Sequence, residues 1–187
     1  MFENSKSMKE YQNRFPTWRL NLVLTIIQKK LVETTLETRE LPLVWSQMHM
    51  YSTMQLAKLL ALKRGINPEL ASLTCALHDI HTLLTGSRKE HGVNAEKHLR
   101  EIVNEYNQKS QGKLPEITNE EVDRMIAAIA VHSDKTTTSN DSLAELLKDV
   151  DSLDSYLHGL IQGKQSGRIP RGNKVLKEFN IDFLIEE

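Results

Sequence analysis

Apolar residues return at helical intervals along nearly the whole of this 187-residue chain, and no convincing alternating strand appears. Leu20, Leu24, Ile27 and Leu31 repeat at intervals of four, three and four, which makes one apolar stripe. Pro16 suits the first turn of that helix, which is expected to reach about Glu37. A second helix is expected from Leu43 to Arg64, closed by Gly65 in a left-handed cap. Asn67-Pro68-Glu69 then restarts a helix, with Asn as N-cap and Pro in the first turn, that runs to His78-Asp79. Residues 80–90 read as a loop or broken helix, and another helix follows from His91 to Tyr106.

Two capping boxes divide the rest. Thr118-x-x-Glu121 opens a helix carrying Met125, Ile126, Ile129 and His132, with Ile117 and Val122 as a hydrophobic staple. Ser142-x-x-Glu145 opens another with Leu143, Leu146, Leu147, Val150, Leu153 and Leu157, which Gly159 closes. The expected fold is therefore all-α, a single-domain helical bundle over 1–187. Its core is 43–159, its N-terminal packing helix 16–37 and its Gly- and Lys/Arg-rich tail 160–187. In that tail Lys164, Arg168, Arg171 and Lys174 read as a mobile surface segment or, alternatively, a lid carrying cations to a phosphate. A short helix is expected from Asn173 to Phe179.

Composition narrows the function. With 39% apolar and 26% charged residues the chain is a soluble globular type, and a formal net charge of −1 gives no global field to attract nucleic acid or an anionic membrane. The one cysteine, Cys75, excludes an internal disulfide and sits in an apolar run as a buried small hydrophobe. The first residues lack a basic-then-apolar signal pattern, and the run from Leu20 to Ile27 is far too short to span a bilayer. The expected location is the cytoplasm, and no membrane or specific nucleic-acid partner is expected.

Against this background, ligand-type residues on apolar helix faces stand out. Asp151 follows Leu147 by four and Leu143 by eight, so it points inward, and Asp154 lies one turn on. His132 follows Ile129 by three, His78 follows Thr74 by four, and His49 follows Trp45 by four. A buried charge is expensive unless paired or bound to metal. Any one inward histidine is adequately explained as a hydrogen-bonded core residue, and that reading is kept for His81, His98 and His158. Several such burials at once would each need a partner, and a shared metal supplies one partner to all. The mixed N/O set suits one or two divalent ions from Mn, Fe, Co, Ni, Zn or Mg without choosing among them.

The ordered set His49, Leu77-His78-Asp79-Ile80, Glu90-His91-Gly92 with Ala95-Glu96, Val131-His132, and Asp149-Val150-Asp151-Ser152-Leu153-Asp154 resembles the HD-domain superfamily of metal-dependent phosphohydrolases, over roughly 45–159. The resemblance implies that His49, His78, Asp79 and Asp151 bind one metal. It implies that His91 and His132 serve a second, with Asp79 bridging. Ser152 stands where the family commonly has arginine, and the Gly-Tyr-Pro signature of the cyclic-dinucleotide branch is absent.

The implied reaction is hydrolysis of a phosphoester or phosphoanhydride in a small nucleotide-like substrate by metal-activated water, with Asp79 and Asp154 as catalytic candidates. Asp154 would orient a ligand, act as a base, or merely cap a neighbouring helix. Arg88 and Lys89, just before His91, are candidates for substrate phosphate contact, or simply a solvated basic surface. Two other readings are a di-iron oxygenase on the same ligands and a metal-stabilised binding module without turnover. Aerobic turnover with iron would identify the first. The complete ligand set weighs against the second, because a structural site needs no open coordination position.

Overall fold

The computed structural model describes residues 17–34, 38–159 and 167–186, which hold eight helices and no strand. They are α1 (Trp18–Glu33), α2 (Leu43–Arg64), α3 (Pro68–Leu77), α4 (Ile80–Thr85), α5 (His91–Ser110), α6 (Asn119–Ala130), α7 (Ser142–Leu157) and α8 (Arg168–Glu178). The all-α expectation therefore holds among the described residues. None of these helices is long and apolar enough to cross a membrane.

Local chemistry explains most of the boundaries. Gly65 takes the left-handed conformation (φ 68°) and returns its N–H to Ala61, ending α2 where the sequence placed its stop. The Asn67 side chain accepts from the N–H groups of Glu69 and Leu70. Both halves of the Thr118/Glu121 capping box form. At α7 the expected cap moves by one residue. Asp141, not Ser142, caps the helix by accepting from Leu143 and Ala144, and Glu145 is drawn away to Ser139 and Arg171.

Residues 80–90, read as a loop or broken helix, contain the short helix α4, which Gly86 closes at φ 77°. Other expectations shift. α8 begins five residues before Asn173. The buried face of α1 is centred on Val23 and Ile26, while Leu24 is only partly covered. α1 ends at Glu33. Pro16, residues 35–37 of the N-terminal expectation and Gly163 and Lys164 of the tail lie outside the described residues.

α3 is the central element. Residues 69–77 are all buried, and α1, α2, α6 and α7 pack around it. Arg19 of α1 clamps α3 to α6, donating from Nε to Glu69 Oε2 at 2.7 Å and from both Nη atoms to the Glu121 carboxylate at 2.9 Å.

α7 is buried along nearly its full length between the bundle and α8. Its Asp149, with no exposed surface, takes Arg64 at 2.6 Å, Arg171 at 2.7 Å and Lys174 at 2.8 Å. Arg171 also pairs with Glu145. Two of the four tail cations considered for a phosphate lid are therefore consumed in holding α8 to α7. A buried carboxylate is tolerated only with such partners, and here they win.

Candidate metal centre

The side chains that converge come from five parts of the chain. His49 projects from the second turn of α2. His78 and Asp79 occupy the break between α3 and α4. His91 is the first residue of α5. His132 lies two residues past the end of α6, and Asp151 is in the middle of α7. The expectation that His132 sits on a helix needs correction. It is in the turn after Ala130, where its Nδ1 bonds the Ile129 carbonyl at 2.6 Å.

Three of the four histidines share one device. Nδ1 of His78, His91 and His132 contacts the backbone carbonyl three residues upstream, at Cys75 (2.7 Å), Arg88 (2.8 Å) and Ile129 (2.6 Å). A carbonyl only accepts, so each ring carries its proton on Nδ1 and keeps a lone pair on Nε2; in His91 and His132 that nitrogen also faces Ser133 Oγ, at 3.3 and 3.5 Å. His49 is held instead by a carboxylate: its Nδ1 donates to Asp154 Oδ2 at 2.5 Å, and Trp45 stacks on its ring at 4.8 Å between centroids. Asp154 also accepts from His158 Nδ1 at 3.1 Å. Its geometry is that of an orienting group behind His49. His158 is hydrogen-bonded, its Nδ1 also meeting the Asp154 backbone carbonyl at 3.1 Å, but it is partly exposed and not a core residue.

The free nitrogens meet in two pairs. His49 Nε2 is 3.2 Å from His78 Nε2, and His91 Nε2 is 3.1 Å from His132 Nε2. Asp79 lies between them. Its Oδ2 is 3.8 and 3.6 Å from His49 and His78, and its Oδ1 is 3.2 and 3.6 Å from His91 and His132. Asp151 Oδ1 joins the first pair at 3.2 Å from His49 Nε2.

These are separations at which the same atoms would each lie near 2.0–2.1 Å from one ion, the usual range for imidazole nitrogen on a divalent metal. Asp79 Oδ1 is buried without any hydrogen-bond donor, which is costly for a carboxylate oxygen unless a cation meets it. The residues present thus fit one or two divalent ions. Among the described residues three groups could hold a metal: His49, His78 and Asp79; Asp79, His91 and His132; and His78, His132 and Asp151, which spans the two pairs.

Electrostatics point the same way. Burial disfavours a charged Asp79, but His78, His132 and His49 outweigh it and hold its carboxyl well below the usual range. Asp151 is likewise held ionised against burial, by Lys135, Arg168 and His49. Burial pushes His78 down to about 4, keeping it a neutral ligand. For His49, burial is overcome by Asp151 and Asp154, and its pKa rises to about 10. The carboxylates around His49 demand a positive charge at its Nε2. A proton or a metal ion satisfies them, and the two compete.

Two residues in the site had no prominence in the sequence. Lys135, fully enclosed, gives its ammonium to Asp151 Oδ2 and to the His132 carbonyl, and burial pulls its pKa down to about 8. It lies in a polar turn with no apolar period to mark it. Arg168, noted only as a tail cation, reaches Asp151 Oδ1 at 3.3 Å and Ser155 Oγ at 2.9 Å. Arg88 and Lys89 are exposed, and Arg88 serves the cluster through its carbonyl on His91. Ser152 turns its hydroxyl to the Lys148 carbonyl and takes no part.

Two backbone features bring the second pair together. Glu90 adopts a left-handed conformation (φ 46°, ψ 33°), rare for a residue with a Cβ, and this turns the chain into α5 at His91. At Gly92 an added Cβ would stand 2.8 Å from the Ile129 carbonyl oxygen and 3.2 Å from His132 Nδ1. Only glycine lets the start of α5 approach the end of α6 this closely.

A family model described as the HD domain matches residues 47–156, from α2 through α7. No curated protein and no solved structure matches the chain.

Proposed function

The chain belongs to the HD-domain family, and from that premise we propose that it is a metal-dependent phosphohydrolase acting on a phosphoester or phosphoanhydride bond of a small nucleotide-like substrate. One observation carries the reading. Asp79 turns its two oxygens toward two pairs of imidazole nitrogens, and Oδ1 has no donor of its own. A divalent ion bound there lowers the pKa of water from about 15.7 toward about 7 and neutralises charge on phosphoryl oxygens.

The protein's own groups have the following roles. His49, His78, Asp79 and Asp151 would hold one ion, and His91 and His132, with Asp79, would hold a second. Asp154 fixes the tautomer and angle of His49 and withdraws no coordination position, as carboxylates behind metal-bound histidines do. Lys135 holds Asp151 Oδ2, which turns Oδ1 toward His49, and Arg168 reaches that same Oδ1 from α8. Asp79, about a quarter exposed, is the ligand open to solvent, so substrate and water approach from its side. Arg88 and Lys89, exposed one turn before His91, supply cations for a phosphate at that rim.

The test is phosphate release from a panel of nucleotides and phosphoesters, with the metal-stripped protein resupplied with Mn, Fe, Co, Ni, Zn or Mg. Release that requires one of these ions and disappears in Asp79→Ala supports the reading. No divalent-dependent release from any substrate class counts against it.

A further inference from the structure

Outside the cluster, a third pair of imidazoles faces one another. His81 Nδ1, from α4, is 3.3 Å from His98 Nε2, from α5, with ring centroids 5.4 Å apart. His98 lies two turns after His91 along α5, about 10.5 Å on by helical rise, and His81 lies two residues after Asp79; neither ring is among the groups that converge on Asp79. Both rings are half-buried and line an open groove of about 640 Å³ with Asn94 and Lys97. Among the described residues neither ring has another hydrogen-bond partner.

The ring nitrogens already face one another at a distance one ion can span: two imidazole nitrogens at 2.0–2.1 Å from a tetrahedral ion stand about 3.3–3.4 Å apart, against 3.3 Å here, where without an ion they make a long N–H···N contact. Glu101, one turn beyond His98, adds a negative charge near the ring, while Lys97 and Lys30 oppose it. Lys30 is partly offset by Glu105 at 3.5 Å, and the nearby Arg100 is occupied by Glu96 and Asp123.

We infer that His81 and His98 form an accessory site for a divalent ion of the zinc, copper or nickel class. The two imidazoles supply its protein ligands, and water from the groove completes the shell. Imidazole pairs suit these metals, whereas Mg and Mn prefer oxygen donors. This inference does not depend on the reaction proposed above.

The experiment titrates the metal-stripped full chain with Zn²⁺ by calorimetry and with Cu²⁺ by electron paramagnetic resonance. Wild type is compared with His98→Gln and His81→Gln, each checked for unchanged helicity. We expect each variant to lose the weakest zinc equivalent, or to bind it at least tenfold more weakly, with the tighter phase unchanged. In the copper titration, the nitrogen-coordinated signal that fills last in the wild type should be missing from each variant, while the signals that fill first remain. Should one variant fail to fold, the other alone decides the question. The same number of zinc equivalents in the folded variants, with affinities within threefold of wild type, overturns the inference. Failure of the main cluster shows differently, as absence of a tight phase in every protein including wild type.

Discussion

Asp154 holds His49 from across the bundle: 105 residues apart in the chain, its Oδ2 meets His49 Nδ1 at 2.5 Å. Their contact leaves His49 Nε2 directed at His78, Asp79 and Asp151, so an effect on the centre is expected from a residue with no place in the coordination shell. Asp154→Asn should weaken metal affinity by about 10–100-fold, the usual cost of losing such a supporting carboxylate. Helicity should be unchanged. Competition titration against a chelating dye measures it, and a variant with wild-type affinity would remove the orienting role.

Asp79→Ala removes the one group common to both imidazole pairs. Divalent-dependent phosphate release should vanish, and bound metal should fall, while far-ultraviolet circular dichroism stays that of the wild type. Undiminished turnover in the alanine variant would rule out any role for Asp79 in the reaction.

The number of ions is open to direct count. His91→Ala with His132→Ala should lower the number of Mn²⁺ or Fe²⁺ ions bound by one and leave the remaining site intact. If both proteins saturate at one ion with equal affinity, the two histidines bind substrate phosphate beside a single metal instead.

Gly92→Ala tests the same pair through the backbone. The added methyl meets the Ile129 carbonyl oxygen at 2.8 Å, so α5 must back away from α6 and carry His91 off His132. We expect loss of the ion held by that pair together with a drop in melting temperature. A variant with unchanged stability and metal count would show that the close approach is not needed.

Stability should fall in acid partly through Glu121. Burial raises its pKa, but Arg19 and Thr118 outweigh burial and bring it below the ordinary 4.5. A carboxyl with a depressed folded-state pKa stabilises fully above its unfolded value and loses that contribution as pH falls through the folded value. Its neighbour Glu69 is shifted upward by burial despite Arg19, so it does not add to this loss. Glu121→Gln should cost about 1.5–3 kcal/mol at pH 7, as for hydrogen bonds to a charged group. The gap from wild type should shrink between pH 5 and pH 3 in thermal melts. A gap independent of pH would assign the effect to packing.

Much of this protein is written in short-range pattern. Gly65, Asn67-Pro68 and Thr118-x-x-Glu121 act on residues within a few positions of themselves, and the structure uses them as written. The inward face carrying Asp151 follows from helical period, since a residue four after the buried Leu147 shares its side, and His49 likewise shares the side of Trp45. Period also explains the misplacements. It carries no information about where a helix frays, so His132 falls beyond α6, and it cannot rank Asp141 over Ser142 as a cap.

What the tertiary structure alone decided is pairing across long separations. Which carboxylate stands behind His49, that Lys135 and Arg168 lock Asp151, and that Arg171 and Lys174 serve Asp149 all depend on how α7 and α8 pack on the bundle. No local rule contains those distances. Burying several carboxylates makes each recruit whichever cation the packing brings within reach, and that choice exists only once the helices have met.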